Sequence, residues 1–328
     1  MDKKLFRPPN LIAGRHMQTV LASSAPRRLM AGRQNGLVQE IATEVLVDCG
    51  NKVRLLGSHA RAPGRRNEQL IIMIHGWEGS ADSLYMQITA GTLLRNGYDV
   101  FRLNLRDHGP SHHLNKELFH SCRLQEVQGA VRWIQTAYPE QQISLLGFSL
   151  GGNFAMRVAA EAPQTEIRLR RAIAICPVLN PVQTMDALEY GWFVYRGYFI
   201  KKWRKSLFTK MGAFPDDYNF ADITRFRSLK EMTAYFVAHH TEYPDLETYL
   251  NGYAITGNRL AELTVPSVVL LAEDDPVIPV QGLENIARSD CLQVRTTRHG
   301  GHCGFLQSYT LQSWLDSFVL EGLAGQIA

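Results

Sequence analysis

Short apolar runs alternate with amphipathic helical patterns along most of the chain. Eight of these runs have the length and apolar content of strands: residues 44–48, 52–60, 69–76, 99–109, 142–149, 170–178, 265–275 and 292–301. Helical patterns lie between or after them: residues 84–95, 120–137, 151–162 and 308–322. Because strands and helices alternate, the sequence predicts an α/β fold with a mostly parallel central sheet and helices on both faces.

Two regions depart from this alternation. Residues 1–43 are rich in Pro and Arg, which predicts an extended N-terminal arm packed on the domain. Residues 179–264 separate two core strands by about 85 positions, much more than a crossover connection needs. Their aromatic and mostly helical pattern predicts a helical cap inserted between the two strands. We therefore predict one domain over residues 1–328.

Composition and charge narrow the class of protein. The 328 residues are 45% hydrophobic and 20% charged, as expected for a soluble globular protein. The net charge of +4 is too small to predict a nucleic-acid partner. The five cysteines are odd in number and form no C-x-x-C pair, which indicates reduced thiols and a cytoplasmic location. We expect no signal peptide and no transmembrane segment, because the apolar runs are too short.

The stretch LLGFSLGGNF places Ser149 between a strand and a helix, with Gly147 and Gly151 on either side. A strand that turns sharply into a helix comes close to its neighbours, and glycines leave the room that this turn needs. The helix that follows presents unpaired N–H groups and a positive dipole end. This pattern predicts a nucleophilic serine.

A serine hydroxyl is a weak nucleophile at neutral pH, so it needs a base and an acid that orients the base. On this scaffold they are expected at the carboxyl ends of strands, in the chain order serine, acid, histidine. The segment LLAEDDPVIP offers Asp274 and Asp275 at one strand end, and RHGGHCGF offers His302 after the last strand. The expected order is therefore met.

Two histidines and a cysteine lie within five positions of the second segment: His299, His302 and Cys303. They would make a metal site only with further ligands, and no partner cluster appears elsewhere in the sequence. A nucleophilic Cys303 would need its own base, whereas Ser149 already has the strand–turn–helix setting. We favour the third interpretation, in which His302 is the base of Ser149 and Cys303 is a partly buried small residue.

These motifs resemble those of the α/β-hydrolase superfamily, and more narrowly its YheT-like group, over most of the chain. The stretch FRPPNLIAGRHMQTV looks like the Pro-rich arm of that group, although the G-H-x-Q-T pattern is one residue longer here. IHGWEGSADS is similar to the oxyanion segment, and NGYDVFRLNLRDHGPS to the strand and loop after it. AEDDPVIP and HGGHCGF are similar to the acid and histidine signatures.

The resemblance implies an α/β-hydrolase fold with a catalytic triad and an oxyanion hole of backbone N–H groups. The signature G-x-x-D-x-x-x-P selects Asp275, not Asp274, as the triad acid, although Ala272 stands where glycine is usual. We expect Asp274 to cap the turn and His75 to support the oxyanion loop by hydrogen bonding. The implied site residues are Ser149, Asp275 and His302 for the triad, and Trp77 and Leu150 for the oxyanion hole.

On this basis we predict a serine hydrolase that cleaves carboxylic esters through an acyl-enzyme, without cofactor or metal. The resemblance implies a small-molecule substrate, namely an ester of a short or medium acyl chain or an acylglycerol-like lipid. An alcohol acyltransferase and a non-catalytic binding protein on the same scaffold are the alternatives. The basic aromatic stretch 195–208 also suggests weak contact with a membrane surface through the cap.

Overall fold

One mixed sheet organises the chain. The computed structural model describes residues 6–64 and 68–326. Within them, eight strands form the sheet: β1 (Thr43–Asp48), β2 (Arg54–Ala60), β3 (Gln69–Ile74), β4 (Asp99–Leu103), β5 (Gln142–Phe148), β6 (Arg171–Ile175), β7 (Ser267–Ala272) and β8 (Leu292–Thr297). Their order is β1-β2-β4-β3-β5-β6-β7-β8. The pairs β1–β2 and β2–β4 are antiparallel, and the strands from β4 to β8 pair in parallel, so the predicted mostly parallel sheet is confirmed.

Helices follow most of the strands. The described residues form α1 (Arg15–Leu21), α2 (Ala25–Met30), α3 (Gly32–Ile41), α4 (Leu84–Arg95), α5 (Leu124–Ala137), α6 (Leu150–Ala160), α7 (Pro181–Tyr190), α8 (Phe193–Ala213), α9 (Leu229–His240), α10 (Leu246–Gly252) and α11 (Leu315–Ala324). Short 3-10 segments occur at Asn10–Ile12, Pro163–Thr165, Ala221–Arg225, Asn258–Leu260 and Val280–Asn285.

The two faces of the sheet carry separate apolar cores. Successive strand residues point to opposite faces, so neighbours on β3 belong to different cores. Ile72 packs in the core that includes Val127 of α5 and much of the segment between β6 and β7. Ile71 packs in the core that includes Leu93 of α4 and Phe318 of α11. Helices on both faces are therefore what bury the sheet.

Several predicted elements are longer than the observed ones. The strand predicted over 99–109 ends at Leu103, and the strand predicted over 292–301 ends at Thr297. After each of these residues the backbone leaves the sheet and forms a loop at its edge. The helix predicted over 308–322 begins only at Leu315. Residues before it fold back in an isolated antiparallel bridge between Leu306 and Ser313, which a helix would exclude.

The prediction of an extended N-terminal arm is wrong for the described part of the arm, which is largely helical. Pro26 lies in the first turn of α2, where a missing N–H group costs nothing. Ser24 caps the same helix, since its hydroxyl accepts a hydrogen bond from the N–H of Arg27 at 3.3 Å. Residues 1–5 of the predicted arm lie outside the described residues.

The segment between β6 and β7, here called the cap segment (residues 179–264), contains α7 to α10. Asn180 caps α7 and accepts hydrogen bonds from two backbone amides. Lys210 of α8 is fully buried and donates to Asp107 Oδ1 at 2.8 Å, in the loop after β4. Its ammonium group also donates to the backbone carbonyls of that loop, at His112, Asn115 and Glu117. This buried ion pair ties the cap segment to the sheet domain.

Candidate active site

Ser149 stands in a strained turn between β5 and α6. Its φ of 53° and ψ of −120° are rarely adopted by a residue with a side chain. A Cβ atom at Gly151 would come within 2.1 Å of the Ile74 carbonyl oxygen, and one at Gly147 within 2.1 Å of the Gly151 carbonyl oxygen. The two glycines therefore provide the space that the sequence pattern predicted, and the turn presents the Ser149 hydroxyl at the end of the sheet.

The three residues of the predicted triad lie in one chain of hydrogen bonds. The distance from His302 Nε2 to Ser149 Oγ is 3.0 Å, and from His302 Nδ1 to Asp275 Oδ2 it is 2.9 Å. The other carboxylate oxygen of Asp275 accepts from the N–H groups of Val277 and Ile278 at 2.8 and 2.9 Å. The Asp275 side chain has no solvent exposure. Its orientation is thus fixed by backbone donors on one side and by the imidazole on the other.

The adjacent aspartate has a different environment. Asp274 Oδ1 accepts a hydrogen bond from the Gly301 N–H at 2.9 Å, and Asp274 Oδ2 is 3.5 Å from His299 Nδ1. Asp274 therefore holds the loop that carries His302, whereas the hydrogen bond to the His302 ring comes from Asp275. This is the division of contacts expected for the two aspartates from their spacing to Pro279.

Charge around His302 favours its protonated form. Burial lowers the pKa of His302, but the negative charges of Asp275 and Cys303 and the hydrogen bond to Asp275 outweigh burial and raise this pKa to about 9. The Asp275 carboxylate can accordingly stabilise an imidazolium at this position. Only the neutral imidazole can accept a proton, so the pKa of His302 sets the pH range in which it works as a base.

Two backbone N–H groups are free near the serine. Leu150 is the first residue of α6, so its N–H group has no partner within the helix. Trp77 follows Gly76, at which an added Cβ atom would lie 3.1 Å from Ser149 Cβ. Among the described residues, neither N–H group takes part in a backbone hydrogen bond outside helices and strands, and neither donates to a side chain. Both predicted oxyanion donors are therefore available.

His75 has the structural contacts that the sequence suggested. Its Nδ1 donates to the Gly76 carbonyl oxygen at 2.7 Å, and its Nε2 accepts from the Leu105 N–H at 3.2 Å, which fixes the tautomer. Burial lowers the pKa of His75 to about 4, although the bond to Gly76 opposes this shift. His75 is thus a neutral, buried link between the loop before Trp77 and the loop after β4.

A cavity of about 80 Å³ adjoins Ser149 and lies under the cap segment. Its lining is mainly apolar and comes from the sheet domain and the cap segment together. Lining residues that define its character are Trp77, Val178, Met185, Leu188, Phe199 and Phe236. The ring of Trp77 stacks on Phe199 of α8 with centroids 5.1 Å apart, so the oxyanion loop and the cap segment share one wall.

The N-terminal arm holds the histidine loop, a role that the sequence analysis missed. The Thr19 hydroxyl accepts from the His302 N–H at 2.9 Å. The buried Gln18 side chain accepts from the Leu306 N–H at 2.6 Å and donates to the Leu306 carbonyl oxygen at 3.2 Å. The G-R-H-M-Q-T stretch was recognised only as a family pattern. Nothing in the sequence indicated that this glutamine is buried, where a side-chain amide needs hydrogen-bond partners.

Comparison with known families agrees with the fold. A family model described as "alpha/beta hydrolase fold" matches residues 69–309, which is well over half of the chain. The protein therefore belongs to the alpha/beta hydrolase family, as the sequence motifs predicted. None of the described helices combines the length and apolar content that a membrane span requires.

Individual relatives place the chain within this family. It is 24% identical over 284 residues to "Putative esterase YheT" of Escherichia coli (strain K12), covering 84% of this chain and 82% of that protein. It is 22% identical over 275 residues to "Monoacylglycerol lipase ABHD2" of Mus musculus, covering 76% of this chain and 64% of that protein. The solved Pyrococcus furiosus esterase PF2001 has a TM-score of 0.61 at 16% identity, covering 100% of both chains. The YheT-like resemblance is thereby confirmed, and the relatives support ester hydrolysis in general.

Proposed function

We propose that the protein is a serine hydrolase of carboxylic esters, with Ser149 as nucleophile, His302 as general base and Asp275 as the acid that orients the base. The observation that carries this proposal is the continuous chain of hydrogen bonds from Ser149 through His302 to Asp275, built on a strained turn. A serine, a base and an orienting carboxylate within 3.0 Å contacts are the arrangement that nucleophilic catalysis requires.

Acylation follows from this geometry. Ser149 Oγ attacks the ester carbonyl carbon while its proton passes to His302 Nε2, and Asp275 stabilises the imidazolium that forms. The carbonyl oxygen becomes an oxyanion that the N–H groups of Trp77 and Leu150 stabilise, each donor contributing about 3 kcal/mol. As the intermediate collapses, His302 returns the proton to the leaving alcohol. The products of this step are the free alcohol and an ester of Ser149.

Deacylation uses the same residues with a second nucleophile. His302 takes a proton from water as the water attacks the acyl carbonyl, and it then returns that proton to Ser149 Oγ as the acid leaves. An alcohol in place of water would give a new ester, so hydrolysis and acyl transfer differ only in the acceptor. The acyltransferase remains the alternative to hydrolysis.

The cavity beside Ser149 supports an ester with a short acyl chain. Its volume of about 80 Å³ is several times the ~10–15 Å³ that a cavity needs to hold one water molecule. An acyl group of a few carbons therefore fits while the cap segment stays in place. Longer chains require the cap segment to move, so we propose that activity falls as the acyl chain grows.

We also propose that the protein meets its ester at an anionic lipid surface. Exposed apolar side chains concentrate on the arm and around the start of α8, and the most exposed are Leu29, Leu11, Tyr190 and Phe193. The two segments touch, since the rings of His16 and Trp192 are 4.6 Å apart. Lys201 and Lys202 are exposed on the same helix and suit anionic headgroups. The apolar face extends beyond the stretch 195–208 that the sequence singled out.

Ser149→Ala tests the proposed function. A fluorophosphonate probe should label the wild-type protein at Ser149, and the variant should lose both labelling and hydrolysis of p-nitrophenyl acetate. Loss of a triad serine costs on the order of 10⁶ in kcat in a well-studied serine hydrolase. The variant must show the wild-type circular dichroism spectrum. Wild-type rates in a clean preparation of the variant would overturn the mechanism.

The same assay separates the alternatives. A panel of p-nitrophenyl esters of increasing chain length gives the acyl preference, and product analysis with added ethanol distinguishes hydrolysis from acyl transfer. If the wild-type protein neither reacts with the probe nor turns over any ester, it is a binding protein on a hydrolase scaffold.

A further inference from the structure

Two thiols lie beside the imidazole of the proposed base. Cys176 follows β6 and Cys303 follows His302 in the chain. Their sulfur atoms and a ring nitrogen of His302 lie within 4.8 Å of one another. Cys176 is 126 positions from His302 in the sequence, so only the fold brings these residues together. The metal ligands considered from the sequence, which included His299, did not contain Cys176.

The two thiols form a hydrogen bond with each other, and backbone groups of Cys303 and Ser149 also interact with the sulfur atoms. Cys176 Sγ is 3.9 Å from the Gly301 carbonyl oxygen, and Cys303 Sγ is 3.7 Å from the Ile175 carbonyl oxygen. A thiol is a weak donor and a weak acceptor, so a metal ion that bonds strongly to sulfur can displace these contacts. Cys176 is fully buried, whereas Cys303 and His302 are partly exposed, so a small ion can reach the cluster from the open side.

We infer that Cys176, Cys303 and His302 form an inhibitory site for a thiophilic d¹⁰ cation such as Zn²⁺. Two sulfur ligands and one imidazole nitrogen are a donor set that Zn²⁺ prefers. With Zn–S bonds of about 2.3 Å and Zn–N bonds of about 2.0 Å, tetrahedral ligand atoms lie about 3.5–3.8 Å apart. Small movements of side chains from the present spacing are enough to reach this geometry. Binding forms two Zn–S bonds and one Zn–N bond, and it releases to solvent the protons that the two sulfur atoms and the metal-binding ring nitrogen carry in the free protein.

Inhibition follows whichever ring nitrogen binds the ion. In the resting triad, His302 Nδ1 bonds to Asp275 and Nε2 bonds to Ser149. A metal on Nε2 takes the lone pair that must accept the proton of Ser149. A metal on Nδ1 displaces the hydrogen bond that orients the ring toward Asp275. In both cases the base is lost, so this consequence of binding, although not the binding itself, rests on the proposed function.

Cadmium binding to the full chain tests the site without any need for activity. Wild-type protein titrated with Cd²⁺ should bind one ion per chain, and a sulfur-to-cadmium charge-transfer band in the ultraviolet should report this binding. Cys176→Ala and Cys303→Ala should each weaken this binding by at least about tenfold, as loss of a metal-site interaction commonly does. Cys291→Ala, which removes a half-buried thiol outside the cluster, is the matched control and should bind like the wild type. Wild-type binding by both cluster variants would overturn the inference.

Zinc inhibition of ester hydrolysis tests the consequence. Zn²⁺ should inhibit the wild-type protein, and a chelator should restore the rate. The inhibition constant should rise at least about tenfold in each cluster variant, measured against the metal-free rate of the same variant. Equal inhibition of all four proteins would overturn the inference. A wild-type protein that binds Cd²⁺ but hydrolyses no ester would overturn the proposed function alone, whereas an active enzyme without the band would overturn the metal site alone.

Discussion

The catalytic edge and the cap segment are held in place by different kinds of contact. At the catalytic edge, by which we mean the loops at the carboxyl ends of β3, β5, β7 and β8, backbone groups do most of the positioning. The φ of 53° at Ser149 and the two amide bonds to Asp275 are examples. In the cap segment, side chains dominate. Trp203 packs against Phe236 with centroids 5.3 Å apart, and Lys210 supplies one buried ion pair.

The difference indicates which changes each region tolerates. Backbone geometry at the catalytic edge depends on particular residue types at particular positions, since a glycine there cannot gain a Cβ atom without a clash. Packing in the cap segment depends on total apolar volume, which many sequences satisfy. Chemistry should therefore be sensitive to conservative changes at the edge, and substrate preference to changes in the cap segment.

After the loss of Ser149, the largest expected effect concerns the two aspartates of the catalytic edge. Asp275→Asn should lower kcat by about 10⁴-fold, because the amide cannot stabilise the imidazolium and favours the wrong tautomer of His302. Asp274→Asn should cost far less, because an amide oxygen can still accept the hydrogen bond of the Gly301 N–H. The measurement is kcat on one p-nitrophenyl ester for both variants.

Folding of both aspartate variants is checked by circular dichroism. A larger loss of kcat in Asp274→Asn than in Asp275→Asn would mean that the triad acid is wrongly assigned. Equal small losses would mean that the triad acid contributes little to kcat. The fixed position of Asp275 would then be less important for catalysis than the comparison of the catalytic edge with the cap segment implies.

The second prediction removes the ion pair that anchors the cap segment. Lys210→Met leaves the Asp107 carboxylate buried without its cation, although Asp107 still accepts from the Phe119 N–H at 2.9 Å. Breaking a buried pair in this way destabilises a protein by about 3–5 kcal/mol. Urea unfolding of both proteins measures the loss.

Lys205→Met is the matched control, because Lys205 is exposed on the same helix and the change removes the same charge. It should leave the free energy of unfolding nearly unchanged. If Lys210→Met is as stable as Lys205→Met, the cap segment does not depend on this anchor.

The residues that meet at the catalytic edge could be selected from the sequence because the signals there are local. One signal is the apolar strand before Ser149 with the glycines around the serine, and another is the pair of aspartates after β7. Each signal fits in a stretch of about ten residues and has one physical explanation. Six parallel strands followed from apolar runs alone. The positions where strands end were less accurate, as at Leu103, because apolar residues continue into the loops that build the site.

Contacts between distant parts of the chain could not be predicted. Thr19 and His302 are 283 positions apart, and no pattern in either segment indicates the other. The sequence likewise gives no sign that Cys176 lies near Cys303, because this depends on the order of β6, β7 and β8 in the sheet. The helices of the arm were missed because its Pro and Arg content was taken to indicate an extended segment, although Pro favours the first helical turn.

The third prediction addresses the outer surface of the cap segment. Phe193→Ala should weaken binding to vesicles that contain phosphatidylglycerol by at least about tenfold, because a buried Phe side chain contributes roughly 1.5–3 kcal/mol. Binding should also weaken at high salt and on pure phosphatidylcholine. Tyr309→Ala removes an exposed aromatic ring elsewhere and is the control. Equal co-sedimentation of both variants would exclude the proposed lipid-binding face.

The smallest expected effect is a shift of the pH profile by Cys303. With a pKa of about 9, only about one His302 in a hundred is neutral at pH 7, so kcat/KM should rise with pH up to about 9.

Burial raises the pKa of the Cys303 thiol, but its hydrogen bond with Cys176 and the charge of His302 outweigh burial and lower this pKa. A Cys303 thiolate in turn raises the pKa of His302, so Cys303→Ala should move the rise of kcat/KM to lower pH and keep the plateau. Cys291→Ala should not move it. A profile that is identical in both variants would mean that Asp275 alone sets the charge of the base, and that the neighbouring thiol has no electrostatic influence on the catalytic edge.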